Sequence, residues 1–484
     1  MARAAGAGRD PLRAPVEYHD ITEVSGPLMV VSGVSDVGWN DYAEVRLESG
    51  ERRHAVVLEV SDTRAVVQVL EGTQGLDLQR PRVAFTGAPL RVPVGPQWLG
   101  RTCNGTGQPL DGGPPIAGED DADVNGAPMN PVQRDTPRDP ILTGVSVIDG
   151  LTTLVRGQKL PIFSVGGLPH LELATQVAVQ SHTDDGSFAV VFAAMGISHT
   201  DAEAVRDRLE ARARAEDLAV LLNTADDPVI ERILTPRIAL TVAEHLAYQE
   251  GRHVLVVMAD MTSYCEAVRE VGAARGEIPG RRAYPGYLYS DLASLYERCG
   301  RLRGQPGSVT QMPVLTMPGG DMTHPVPDLT GYITEGQIVL TEERHVRGVY
   351  PPVEPLSSLS RLMRRGAGPG RTRGDHLDLA AQLLALLARA RDVAELADLL
   401  GDEALSETER RYLSFAEAFD EHLVSQRRDE DRPLAETLDR GWQAAATLPR
   451  RELTMVPSDT LDARYPQSSQ DKKRRSAGPE GRPS

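Results

Sequence analysis

The segment LPIFSVGGLPHLELATQVAVQS, residues 160–181, decides the fold. It begins with an apolar run of strand character (160–165), turns on Gly166-Gly167, and continues to Ser181 in a helical pattern. Strand, glycine turn and helix together bring free backbone N–H groups and the positive end of a helix dipole to one point, the geometry that receives a phosphate. The same alternation continues downstream. Residues 188–195, FAVVFAAM, read as a buried strand and 201–216 as a helix; 218–223 follow as a strand and 236–250 as a helix. The run 253–260 is a strand ending in an acid, with a helix over 264–275. Repeated strand–helix units imply a parallel sheet covered on both faces, with its ligand edge at the strand C-termini.

Upstream, residues 16–85 contain the Val-rich runs GPLMVV, AEVRL, AVVLEV and RAVVQVL, separated by turn formers. They are too close together for intervening helices and predict an antiparallel barrel or sandwich. Gly and Pro are dense from 87 to 140, and GQPLDGGPPIAGEDDADVNGAPMNP (107–131) reads as a long ordered connection without regular elements. The acidic cluster 119–123 within it reads as a solvated loop rather than a metal site. After Pro355 the strand signals stop. Residues 375–400 predict a helix stopped by Gly401, Ser406 to Glu409 form a capping box opening another, and 433–447 form a last one. The expected organisation is a flexible N-terminus (1–15), a β-barrel domain (16–85), a central α/β domain (86–355), a C-terminal helical domain (356–455) and a disordered tail (456–484). Lys472-Lys473-Arg474-Arg475 in that tail reads as solvated.

The 484 residues carry a net charge of −17, with 52 Lys plus Arg against 69 Asp plus Glu. Such a chain is repelled by phosphate backbones and anionic bilayers, which disfavours direct nucleic-acid or membrane binding. Three cysteines, Cys103, Cys265 and Cys299, lie far apart and form no CxxC pair, which argues against a disulfide framework or a thiolate zinc site. No apolar run approaches the ~20 residues of a membrane helix, and residues 1–15 lack the apolar core of a secretory signal.

An active phosphate loop reads G-x-x-x-x-G-K-[ST], its Lys reaching the β/γ-phosphates and its hydroxyl binding magnesium. Laid on residues 164–171, that template puts Ser164 and Pro169 in the glycine slots, His170 in the lysine slot and Leu171 in the hydroxyl slot. Gly166 and Gly167 remain as backbone donors. One strand along, Ile197 stands where a hydrolysing relative carries the Glu of a Gly-Glu-Arg turn that orients the attacking water, and an aliphatic side chain cannot polarise water. Asp260 resembles an acid supporting magnesium at a strand end and reads equally well as the cap of the next helix.

Seven segments carry a resemblance: LVRGQKLPIFS (154–164), GLPHLELATQ (167–176), VVFAAMGI (190–197), DDPVIERILTPRIALTVAEHLA (226–247), EIPGRRAYPGYLYSDLASLYERCG (277–300), THPVPDLTGYITEGQI (323–338) and YPPVEPLSSLSRLM (350–363). In their content and order the chain resembles, over residues 16–455, the non-catalytic, regulatory B subunit of A/V-type rotary ATPases and ATP synthases. The resemblance implies an α/β core with a P-loop NTPase-like parallel sheet, an N-terminal β-barrel and a C-terminal helical domain. It implies alternation with catalytic A subunits in a hexameric ring around a central rotor stalk, with peripheral stalk subunits outside. The ring would lie on the cytoplasmic face of the cell membrane and reach it only through the complex, coupling ATP synthesis or hydrolysis to proton or sodium transport. ATP or ADP would sit at the A/B interface with Mg2+ held by the partner, none bound tightly by this chain alone. The loop departs from the family's usual SGSGLPHNE at Val165, Gly167 and Leu171.

Arg361, in SSLSRLM at 357–363, matches the family's trans-acting arginine, which implies that it enters the partner's ATP site as a catalytic and nucleotide-contacting group. Arginine suits the task because its planar fork binds phosphate oxygens bidentately and never deprotonates. For a lone arginine at this position the plain alternative is a surface ion pair. Arg281 and Arg282 are weaker candidates for rotor or interface contacts. The competing classes are a self-sufficient hexameric NTPase of the same fold, opposed by His170 and Leu171, and a filament-binding adapter, for which residues 16–85 offer no distinct surface. The isolated chain is expected to be non-catalytic, its enzymatic part being that of the complex.

Overall fold

The computed structural model describes residues 16–465 apart from 27, 39–40, 70–71, 77–81, 185–186 and 211–214. The extreme N-terminus and the basic cluster of the tail lie outside the described residues. Two compact units interleave along the chain, one drawn from Met1–Asp135, Ser187–Leu315 and Met322–Ile333, the other from Thr136–Gly186, Thr316–Asp321 and Thr334–Ser484.

In the first unit the Val-rich runs form one antiparallel sheet of seven strands. Its order is Glu17–Tyr18, Arg82–Phe85, Tyr42–Arg46, Arg52–Ser61, Arg64–Val69, Leu28–Ser32, Ile21–Ser25. Alternate residues (Met29 and Val31, Ala43 and Val45, Ala65 and Val67) point to one shared core, the period-2 pattern of strands buried on one face. The same unit holds a parallel sheet, with Thr102–Asn104, Leu218–Thr224, Phe188–Ile197, His253–Ala259 and Ser308–Met317 as successive neighbours. Its central strands read as continuous apolar runs because helices such as Val229–Tyr248 and Met261–Ala274 cover them.

The second unit places the strand Ile162–Val165 parallel to Gly336–Val339, which pairs antiparallel with Leu359–Ser360. Helix His170–Gln180 follows the glycine turn, and His376–Leu400, Glu407–Phe419 and Leu434–Ala445 form the helical part. The capping box is present: Ser406 Oγ accepts from the Glu409 N–H, and the Glu409 carboxylate accepts from the Ser406 N–H. Gly401 ends its helix at φ 86°. Among the described residues no helix is long and apolar enough to cross a membrane.

Four expectations need correction. The Gly/Pro-rich connection is not devoid of regular elements: Asp120–Asp123 is a strand, paired antiparallel with Arg91–Val94. The acidic cluster is therefore part of a two-stranded ribbon, where the ladder needs only backbone groups and charged side chains stay in water. The helix expected from Pro236 starts at Val229 and runs through that proline, held by buried Ile230, Leu234 and Ile238 despite the lost backbone bond. A strand does occur after Pro355, but at two residues, Leu359–Ser360, it is too short to show a pattern. The tail does not begin at 456, because Ser458–Arg464 is helical with Leu461 buried.

The short 359–360 strand depends on Gly336. At φ +143° a Cβ at this position would lie 2.1 Å from the Leu359 carbonyl oxygen. Gly336→Ala is therefore expected to push the 336–339 and 359–360 strands apart and cost about 2 kcal/mol or more, from strain and the lost close approach. Urea denaturation checks this; an unchanged midpoint would show that the strand pair tolerates a side chain there.

Candidate functional site

The strand Ile162–Val165 delivers the glycine turn to the surface. Gly166 and Gly167 are exposed, Gly167 takes φ +87°, and nothing lies within 4 Å of where a Cβ on either would project. Beyond them the loop closes on itself. The Leu168 N–H donates to the Val165 carbonyl at 3.3 Å, and the His170 N–H to the Leu168 carbonyl at 2.8 Å. His170 Nδ1 lies 2.9 Å from that same carbonyl, which can only accept, so the ring carries its proton on Nδ1 and folds over its own loop. Pro169 contributes no donor.

The first turn of helix His170–Gln180 carries Glu172, whose carboxylate suits the helix dipole and repels a phosphate. Arg428 offsets that charge, its Nη1 2.8 Å from Glu172 Oε2, while its guanidinium lies 5.4 Å over the Tyr350 ring. Of the backbone donors in the turn, only the Gly166 and Gly167 N–H groups make no hydrogen bond to the described residues of the chain. With Leu171 in the hydroxyl slot, the residues present do not fit a magnesium–phosphate group.

The other two expected elements belong to the first unit. Ile197 ends its strand 8% exposed, beside Gly196, whose N–H donates to Asn223 Oδ1 at 3.1 Å. Arg232 closes that strand end, its Nε 3.0 Å from the same Oδ1 and its Nη2 3.2 Å from the Thr224 and Ala225 carbonyls. Asp260 caps helix Met261–Ala274, accepting the Thr262 N–H at 2.7 Å.

Arg361 follows the Leu359–Ser360 strand and is exposed. Its N–H donates to the Glu335 carbonyl at 3.0 Å, and its Nη1 to the Thr334 carbonyl at 3.2 Å. Among the described residues it forms no ion pair, and in an exposed residue this leaves most of the guanidinium's donors to solvent. Arg281, by contrast, is held in a surface ion pair with Asp328 at 3.3 Å and donates to the Thr323 carbonyl at 2.8 Å. Arg282 adopts φ 53° in the same turn.

Sequence reasoning missed the residues that fix Arg361. Gln158 is fully buried; its Nε2 donates to Ser360 Oγ at 2.9 Å and to the Glu335 carbonyl at 3.2 Å, and its Oε1 accepts the Val155 N–H at 3.0 Å. Lys159, 3% exposed, gives its N–H to Glu335 Oε2 at 2.8 Å and its ammonium to Glu335 Oε1 at 3.0 Å. The available signal was Gln-Lys directly before a buried strand, since a lysine in such a place demands a carboxylate partner.

Residues 144–360 match the nucleotide-binding domain of the ATP synthase alpha/beta family, 21–87 its beta-barrel domain, and 365–465 the C-terminal domain of V and A type ATP synthase. The structure of an ATP synthase subunit, NeqB from Nanoarcheaum equitans, superposes with TM-score 0.69 at 35% identity, covering 87% of this chain and 100% of that one. The chain belongs to the ATP synthase alpha/beta family, as a B-like subunit of the A/V type. Its fold is that family's: an N-terminal β-barrel, an α/β nucleotide-binding domain with a parallel sheet, and a C-terminal helical domain.

Gln158→Leu should leave the buried Val155 N–H without an acceptor and remove the bonds to the Glu335 carbonyl and the Ser360 hydroxyl. A loss of about 2 kcal/mol is expected, the usual cost of an orphaned buried polar group. Equilibrium unfolding measures it, and a neutral result would remove Gln158 from the support of Arg361.

Proposed function

We propose that this chain is the non-catalytic, regulatory B subunit of a rotary ATP synthase or ATPase, alternating with catalytic A subunits in a hexameric ring. In this reading the A subunit holds ATP or ADP with its Mg2+, and this chain completes that site in trans. Central and peripheral stalk subunits link the ring, peripheral to the cytoplasmic face of the membrane, to proton or sodium transport. The observation that carries the proposal is the contrast between the two candidate phosphate contacts. The chain's own loop spends the Leu168 and His170 N–H groups on its own carbonyls, leaves only those of the two glycines, and lacks a lysine and a metal-binding hydroxyl, while Arg361 is backbone-clamped, exposed and, among the described residues, bound to no carboxylate.

The chemistry follows from that arrangement. Negative charge shifts as the γ-phosphoryl transfers, and a fixed guanidinium directed at it stabilises the transition state more than the ground state. An arginine supplied in trans contributes about 10³–10⁵ in rate. A clamped backbone favours this role, because among the described residues the side chain need leave only one carbonyl, that of Thr334, to reach a phosphate.

Two outcomes test the reading. The isolated chain should show no magnesium-dependent ATPase activity, and His170→Lys with Leu171→Thr should not restore it, because Ile197 still cannot orient water. Turnover by the purified wild-type chain, free of partner subunits, would favour a self-sufficient NTPase. In the assembled complex, Arg361→Ala should leave ring assembly intact and lower ATP turnover by about 10³-fold. Apparent ATP affinity should change little, and Arg361→Lys should rescue poorly because an ammonium lacks the bidentate fork. Near-normal turnover of the alanine complex would contradict the role.

A further inference from the structure

The last turn of helix Val229–Tyr248 carries His245. The His245 carbonyl accepts the Gln249 N–H at 2.9 Å and the Glu250 N–H at 3.3 Å, so the chain folds back and sets the Glu250 carboxylate beside the imidazole. The same helix packs on strand Arg91–Val94, whose partner strand begins just after Glu119. The Glu119 N–H donates to the Val94 carbonyl at 2.9 Å, and at Gly118 a Cβ would lie 2.6 Å from the Val94 nitrogen, so the approach of this segment is fixed. All three side chains belong to the first unit.

One imidazole nitrogen and one carboxylate oxygen from each glutamate thereby come within 4.8 Å of one another. His245 Nε2 is buried and has no hydrogen-bond partner among the described residues. Glu250 Oε1 stands 3.9 Å from it, beyond hydrogen-bond reach. A hydrogen-bonded histidine–glutamate pair would close to about 2.8 Å. A separation of roughly 3–4 Å is instead that of two ligands on one small dication, whose bonds to nitrogen and oxygen are about 2.0–2.2 Å. Neither glutamate meets a lysine or arginine among the described residues, so two carboxylates share the place without a cationic side chain. The acidic residues that follow Glu119 stand apart: Asp120 and Asp123 turn their carboxylates onto the Asp121 and Asn125 N–H groups.

We propose that Glu119, His245 and Glu250 bind a divalent transition metal of the zinc class, clipping the ribbon of Arg91–Val94 and Asp120–Asp123 to the end of helix Val229–Tyr248. The donor set selects the ion, because an imidazole nitrogen suits zinc whereas magnesium and calcium take oxygen ligands. Two carboxylates neutralise the dication, and three protein ligands leave a coordination position for water. Both glutamates are exposed, so their side chains can rotate onto the ion while the helix holds the imidazole in place.

Calorimetric titration of the full-length chain, stripped with EDTA and dialysed, with zinc chloride and with magnesium chloride tests this. Zinc should saturate at one site and magnesium should not. Zinc should also raise the thermal unfolding midpoint, since an ion bound only by the folded chain stabilises it. Glu119→Gln, Glu250→Gln and His245→Gln should each weaken zinc binding by about tenfold or more and shrink the rise in midpoint. Circular dichroism establishes that each variant is folded, and the two glutamate variants, which alter exposed side chains, decide the matter if His245→Gln is not. The proposal is overturned by absence of saturable zinc binding, by magnesium binding of equal affinity, by a midpoint that zinc leaves unmoved, or by wild-type zinc affinity in both glutamate variants, the mark of an adventitious ion only.

Discussion

The buried contact between Lys159 and Glu335 organises the candidate site. An ammonium this deep is tolerated only with a partner, and Glu335 meets both its charge and the Lys159 N–H. The same glutamate offers its backbone carbonyl to Gln158 and to the Arg361 N–H. One residue therefore ties the entry to strand Ile162–Val165, the start of strand Gly336–Val339 and the turn that presents Arg361. The glycine loop and the arginine begin from opposite ends of this node, so neither can shift without disturbing these buried polar contacts.

From that node the second unit presents two surfaces of opposite character. The glycine loop keeps the outline of a phosphate cradle but gives the Leu168 and His170 N–H groups to its own carbonyls, and its helix begins with a carboxylate held by Arg428. The arginine turn does the reverse, using backbone groups for its own support and leaving the guanidinium, among the described residues, bound to a single carbonyl. That contrast is what supports the division of labour proposed above, in which this chain acts on a nucleotide held by its partner.

Much of this was legible in the sequence where burial is local. The strands Phe188–Ile197 and His253–Ala259 are covered on both faces and so read as unbroken apolar runs; the antiparallel strands alternate because only one face is buried. The capping box and the glycine stop carried their own geometry in four residues and one. Other features were hidden because their cause is distant or purely backbone. The Asp120–Asp123 strand exists through its ladder with Arg91–Val94, and nothing in its side chains announces it. Lys159 and Glu335 lie 176 positions apart, so neither names the other. A single arginine such as Arg361 has no local signature at all; only the resemblance of its surrounding segment singled it out.

The central claim concerns where Arg361 is directed when the neighbouring site is occupied. A structure of the assembled complex with ADP and aluminium fluoride, a mimic of the transferring phosphoryl group, measures it directly. The account predicts that the Arg361 guanidinium leaves the Thr334 carbonyl and meets the fluoroaluminate in the partner's pocket, while residues 164–171 hold no nucleotide. Arg361 still resting on Thr334, with another cation on the fluoroaluminate or with nucleotide seated on the chain's own loop, would contradict it.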